Sequence, residues 1–169
     1  EGESDKVLEA WRIMIQEATG RPLLLGRNNV VGERASHLML DASDYDVIDP
    51  KTSDDRELFA AELCRIGARI GFTPPKALHL IENPLYFGAM LVRLGKADAM
   101  VAGVDNAYSD TIRTLLPISE MMPGVSRAAG FNLLIAEGRV LIFGDTTLQV
   151  DPDARSLADI AVMGAQLGK

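Results

Sequence analysis

The sequence predicts an α/β protein in three layers, with a parallel sheet covered by helices on both faces and the start of a second α/β unit at its end. Three observations lead there. Short apolar runs such as Leu23-Leu24-Leu25 sit between breakers, as strands buried on both faces do. Longer stretches of helical periodicity separate those runs. At Pro123-Gly124 the alternation gives way to two apolar segments joined by a tight link, so residues 1–122 read as a first domain and 123–169 as the beginning of a second.

The elements follow in order. From Asp5 to Thr19 the apolar positions Val7, Leu8, Trp11, Met14, Ile15 and Ala18 mark an amphipathic helix, with Ser4 as cap and Gly20 as stop. Arg21 to Gly26 is a strand, Asn29 to Met39 a helix and Tyr45 to Ile48 a second strand. Asp54 to Ile70 continues as a long helix. Thr73-Pro74-Pro75 and Asn83-Pro84 each open a further helix, because proline fits the first helical turn, where its missing N–H is not needed. Ala99 to Gly103 reads as a strand and Ser109 to Met121 as a helix. Phe131 to Ala136 and Val140 to Phe143, joined by Glu137-Gly138-Arg139, read as a hairpin, and Asp151-Pro152-Asp153 caps a last helix reaching Leu167.

Composition excludes several functions. With 17 Lys and Arg against 24 Asp and Glu the net charge is −7, and no basic cluster stands ready for a nucleic-acid backbone or an anionic lipid surface. No apolar run approaches the ~18 residues of a membrane-spanning helix. The single Cys64 cannot pair within the chain, which suits a reducing, cytoplasmic setting. The chain opens on Glu1 rather than Met and closes at Lys169, where an α/β protein would enter its next strand, so further sequence is expected on the C-terminal side.

The familiar nucleotide and metal signatures fail. Gly26 to Gly32 is followed by Glu33-Arg34 where a P-loop needs Lys and Ser or Thr, and G-x-G-x-x-G does not occur. His37 and His79 stand alone among apolar neighbours, and Asp41, Asp44, Asp46 and Asp49 lack the glycine and glutamate of a calcium loop. The informative stretch begins at Gly103, where a short loop leads into Ser109-Asp110-Thr111-Ile112-Arg113. Free N–H groups at a helix start favour an anion, and Arg113 one turn inside offers a forked donor. The alternative is that Ser109 or Asp110 only caps the helix and Arg113 pairs with Glu120 or solvent. Pro123-Gly124-Val125-Ser126-Arg127 adds a hydroxyl and a second guanidinium.

Five segments, in order and spacing, resemble the phosphate acetyltransferases (phosphotransacetylases). They are residues 83–90 (NPLYFGAM), 97–103 (ADAMVAG), 109–113 (SDTIR), 123–127 (PGVSR) and 140–145 (VLIFGD). The resemblance covers the whole chain and only the first half to two thirds of such an enzyme. It implies two α/β domains around a cleft, related to the isocitrate and isopropylmalate dehydrogenases, and acetyl transfer between coenzyme A and inorganic phosphate. It further implies a homodimer or larger homo-oligomer, with coenzyme A as substrate and no resident cofactor or metal.

Carried over position by position, Arg113 matches the family arginine facing the phosphate or coenzyme A side of the cleft, with Ser109 and Thr111 from the same segment. Ser126, Arg127 and Asp145 match substrate-side positions. A Ser–Arg pair and an Asp closest to the chemistry come, in the family, from sequence after Lys169, so no catalytic residue is assigned here. Thr146 replaces a family cysteine, Asn106-Ala107-Tyr108 replaces H-T-T, and Gly67 falls where the family has an arginine, a role not transferred to Arg65 or Arg69. Two neighbouring readings are an acetyl-CoA-sensing module of a malic enzyme and a phosphate butyryltransferase.

Overall fold

Strands β1 (Leu23–Leu25) and β2 (Asp46–Ile48) pair in parallel, with Leu24 opposite Val47 and Leu25 opposite Ile48. Successive strand side chains point to opposite faces, and each face meets its own apolar cluster. Leu24 and Val47 pack with Leu8, Trp11 and Val31 on one side. On the other, Leu23, Leu25 and Ile48 pack against a core of Phe59, Leu63, Ala77, Ile81, Phe87 and Met90. The computed structural model describes residues 1–121, 125, 127–145 and 147–168, which form two units, Glu1–Ser119 and Glu120–Lys169.

In the first unit, α1 (Asp5–Gln16) buries Leu8 and Trp11, and the Trp11 ring meets Tyr45 edge-on at 4.7 Å. Helix α2 (Asn28–His37) buries Val31 and Ala35. Helices α3 (Arg56–Ile66), α4 (Pro74–Ile81) and α5 (Pro84–Arg93) build the larger core, where the Phe59 and Phe87 rings lie 4.8 Å apart. As the sequence leads one to expect, prolines open α4 and α5, and Asn83 caps α5 by accepting from the Leu85 N–H at 2.8 Å. Arg93 ties α5 to its surroundings, donating to the Ile118 carbonyl at 2.7 Å and to Glu62 at 3.3 Å. Among the described residues no helix is long and apolar enough to cross a membrane.

Three expectations are corrected here. The helix expected to run to Ile70 stops at Ile66, because the chain turns at Gly67 and passes through a 3-10 turn to Gly71, whose φ of +80° suits glycine. Ala99–Gly103 forms no strand: Met100 packs against the core, Val101 is exposed, and the Gly103 and Val104 N–H groups bond a side chain instead of a neighbouring strand. Helix α6 spans Tyr108–Leu115 rather than reaching Met121. Pro117 has no N–H for the Arg113 carbonyl, and its ring would crowd that carbonyl, so the helix cannot continue.

The second unit is a hairpin and a helix. Strands β3 (Phe131–Ala136) and β4 (Arg139–Gly144) pair antiparallel from Phe131 opposite Gly144 to Ala136 opposite Arg139. The link is two residues rather than the three expected. Glu137 and Gly138 both adopt positive φ, +51° and +73°, so pairing resumes at once at Arg139. Helix α7 (Ala154–Leu167) is capped by Asp153, which accepts from the Ser156 N–H at 2.8 Å. It packs closely on the hairpin, where a Cβ on Gly164 would lie 3.1 Å from the Phe131 ring.

Gly67 permits the bend after α3, since a Cβ there would lie 2.0 Å from the Phe72 ring. Gly67→Ala is expected to destabilise the fold by about 1–3 kcal/mol. Chemical denaturation of the wild type, Gly67→Ala, Phe72→Ala and the double variant checks this. The added loss from the second change should be smaller than that of Phe72→Ala alone, because the ring that clashes is gone.

Candidate functional site

The loop from Gly103 to Asn106 presents four consecutive backbone N–H groups, and all four point at one carboxylate. Glu1 Oε2 accepts from Gly103 at 2.9 Å and Val104 at 3.0 Å, while Oε1 accepts from Asp105 at 3.0 Å and Asn106 at 2.9 Å. The Asn106 side-chain amide adds a fifth donor at 2.6 Å. Consecutive N–H groups of this kind form an anion-binding concavity. Its shape depends on Gly103, whose φ of +116° is accessible to few other residues.

Burial alone would push the Glu1 carboxyl up. The Val104 N–H, the Asn106 amide and the Asp105 and Gly103 N–H groups outweigh it and hold the group down at about 2 against 4.5. Two residues on, Glu3 repeats the device at the start of α2. It accepts from the Arg27 backbone N–H at 2.9 Å and from the guanidinium at 2.9 and 2.7 Å, and these contacts hold its carboxyl at about 2. Between them, Gly2 donates to the Leu25 carbonyl at 3.0 Å, so close to the end of β1 that a Cβ would sit 2.9 Å from Leu25 backbone atoms.

An open cleft of about 460 Å³ lies beside this segment. Glu1, Glu3, Asp5 and Asp105 line it, with Lys6 and Arg34 between them. Four carboxylates against two cations make it a poor receptor for phosphate.

Helix α6 follows the loop. Its N-cap is Ala107, with no side chain capping it, so Ser109 and Asp110 lie inside the first turn instead of serving as caps. Ser109 and Arg113, four residues apart, share an exposed face. Thr111 faces the interior, 7% exposed, with its hydroxyl donating to the Ala107 carbonyl at 3.3 Å. Arg113 sits in the last turn, where a cation suits the helix dipole, rather than near the start. Its side chain is 79% exposed and pairs with Asp110 at 3.3 Å. The structure therefore joins Ser109 and Arg113 on one surface and withdraws Thr111 from it.

Arg127 and Asp145 belong to the second unit, on the chain entering β3 and leaving β4. Arg127 donates to the Gln149 side chain at 3.4 Å. Asp145, at φ +43°, donates its N–H to the Gly130 carbonyl at 2.7 Å and accepts from the Leu148 N–H at 2.9 Å through Oδ1. Its Oδ2 is buried, with no hydrogen-bond partner among the described residues. Ser126 and Thr146 lie outside the described residues. His37 and His79 are exposed, and no group of three or more His, Cys, Asp or Glu among the described residues is arranged to hold a metal.

A model of the family described as phosphate acetyl/butaryl transferase matches residues 1–169. The chain belongs to that family. A phosphate acetyltransferase of Synechocystis sp. is 36% identical over the whole chain, which covers 24% of that relative. One from Helicobacter pylori is 35% identical, with all of the chain covering 33% of it, and one from Staphylococcus epidermidis is 36% identical over 98% of the chain and 50% of its own length. Among solved structures, a phosphotransacetylase from Streptococcus pyogenes matches with a TM-score of 0.87 at 30% identity, covering 96% of this chain and 50% of that one. Another, from Staphylococcus aureus, matches with a TM-score of 0.80 at 34% identity over 98% and 50% of the two chains. This chain thus spans a quarter to a half of these transferases.

The resemblance to the phosphate acetyltransferases implies an arginine where this chain has Gly67. The Phe72 ring lies over it and leaves no room for an arginine side chain. Arg65 is engaged by Glu62 at 2.6 Å, and Arg69 is exposed beyond the end of α3. Sequence reasoning pointed to the helix start at Ser109–Arg113 as an anion site and missed the loop before it, whose anion is Glu1. No local signal connects residues more than a hundred positions apart.

Glu1 and Glu3 both bind protons more weakly in the folded chain than at the usual 4.5. The stability they contribute is complete above 4.5 and is lost as pH falls through about 2. Glu3→Gln should flatten the loss of stability over that window. Denaturant midpoints measured between neutral pH and pH 2 check it, and an unchanged pH slope would contradict the Glu3–Arg27 contact.

Proposed function

We propose that this chain supplies the phosphate and coenzyme A side of the substrate cleft in a phosphate acetyltransferase, acetyl-CoA plus phosphate giving acetyl phosphate plus coenzyme A. A phosphate oxygen attacks the thioester carbonyl carbon, the carbonyl oxygen takes up the negative charge, and the C–S bond then breaks. The thiolate leaves and takes a proton to become coenzyme A. Cationic and N–H donors orient the nucleophile and stabilise the oxyanion. The residues of this chain bind and orient, and none of them is assigned the transfer of the thiol proton.

Arg113 carries the reading. Its guanidinium is 79% exposed, and among the described residues it pairs with Asp110 at 3.3 Å, a surface contact that contributes little to folding. A fork of N–H donors left at the surface beside the Ser109 hydroxyl suits a phosphate. Ser126, Arg127 and Asp145 are also proposed as substrate-binding residues. The same reading makes the whole protein a cytoplasmic homo-oligomer of two three-layer α/β domains, akin to the isocitrate and isopropylmalate dehydrogenases.

In the full-length protein, Arg113→Ala should lower kcat/KM for phosphate about tenfold to a hundredfold, the worth of one charge-assisted contact. Arg113→Lys should recover little of it, because a point charge lacks the forked geometry. Melting temperature should barely move. Kinetics and melting measured on the same two variants check this. Unchanged kinetics with a lowered melting temperature would make Arg113 a structural residue and overturn the assignment.

A further inference from the structure

We infer that Glu1 is a positioning residue whose carboxylate, as the resident anion of the Gly103–Asn106 loop, fixes where α6 begins and so where Ser109 and Arg113 are presented to substrate. The inference rests on the reading of α6 as a substrate-binding element.

Four features support it. The loop spends all four of its backbone N–H groups, and the Asn106 amide, on the two oxygens of one side chain at 2.6–3.0 Å. Charge-assisted bonds of this kind are roughly twice as strong as neutral ones, and four backbone donors left without an acceptor would repel one another. The carboxylate is itself anchored, because Gly2 bonds the Leu25 carbonyl at the end of β1 and Ser4 donates to the Glu1 carbonyl at 3.1 Å. Helix α6 has no side-chain cap, so the geometry of its first turn is inherited from the loop. Finally, Gly103 at φ +116° gives the loop a shape that aims successive N–H groups at one point.

The contact therefore links the edge of the β1–β2 sheet to the start of α6 through one ionised group. Glu1→Gln keeps the shape but offers a single acceptor oxygen and no charge. Glu1→Ala empties the nest. Glu1→Asp keeps the charge on a shorter stem and serves as the conservative variant.

The test uses the full-length protein and two readouts. Amide hydrogen exchange at residues 103–106 should speed up at least about tenfold in Glu1→Ala, with β1 and α5 amides unchanged, and added formate should restore protection by refilling the nest. The KM for phosphate should rise in Glu1→Ala by more than kcat falls, with partial recovery in Glu1→Asp and in formate. Should Glu1→Ala fail to fold, Glu1→Gln carries both readouts. Unchanged exchange at 103–106 would overturn the inference, as would faster exchange with unaltered kinetics, which would make the contact structural only. Protection of these amides by inorganic phosphate in the wild type, with Glu1 displaced, would also overturn it and make the nest a substrate site. A wild-type protein with no transferase activity would fail the functional reading and the kinetic consequence, whereas the exchange result bears on the Glu1 contact alone.

Discussion

A carboxylate ringed by five N–H donors organises the first unit of this protein. Glu1 reaches from the beginning of the chain to the loop at Gly103–Asn106, and nothing else in the described structure holds that loop with comparable strength. The charge is held where it is useful because desolvation, which opposes it, is outweighed by donors aimed from several directions. Glu3 does the same for the Gly26-Arg27 turn into α2. Two acidic residues on either side of a glycine therefore pin the entrances of two helices, each beside the carboxyl end of β1.

The apolar core sets the frame within which this polar clasp acts. Alternation along β1 and β2 sends Leu24 and Val47 to one cluster and Leu25 and Ile48 to the other, so the short sheet is held from both faces. Gly88 brings α5 close to this frame, with room for a Cβ taken by Leu25 and Met100. Met100 is thereby packed while the residues after it stay outside any strand. The loop that follows is then fixed by the Glu1 carboxylate, so hydrophobic packing positions its beginning and electrostatics its end.

Much of this organisation was legible in the sequence because it is local. Periodicity and proline placement located α1, α4 and α5, the Asp153 cap located α7, and the apolar runs located β1, β2 and the hairpin. The errors share one cause, which is that the deciding interaction was a single residue or a distant partner. Pro117 ends α6 and moves Arg113 from the helix start to its last turn. Gly67 beneath the Phe72 ring ends α3 early and leaves no room there for the arginine that the resemblance implies. Ala99–Gly103 has the composition of a strand, yet a strand needs a ladder partner that composition does not specify. At the candidate site, the helix carrying Ser109 and Arg113 was readable, the inward turn of Thr111 needed the helix phase, and the anion seated in the preceding loop needed the fold.

The most direct test of this account is the titration of the Glu1 carboxyl, followed through its side-chain carbon resonance in the folded protein. Seated among the Gly103–Asn106 donors, it should titrate at about 2, well below the usual 4.5. The resonance should also shift when Asn106→Ala removes the side-chain donor. A midpoint at the ordinary glutamate value, unaffected by Asn106→Ala, would contradict the clasp on which the positioning of α6 depends.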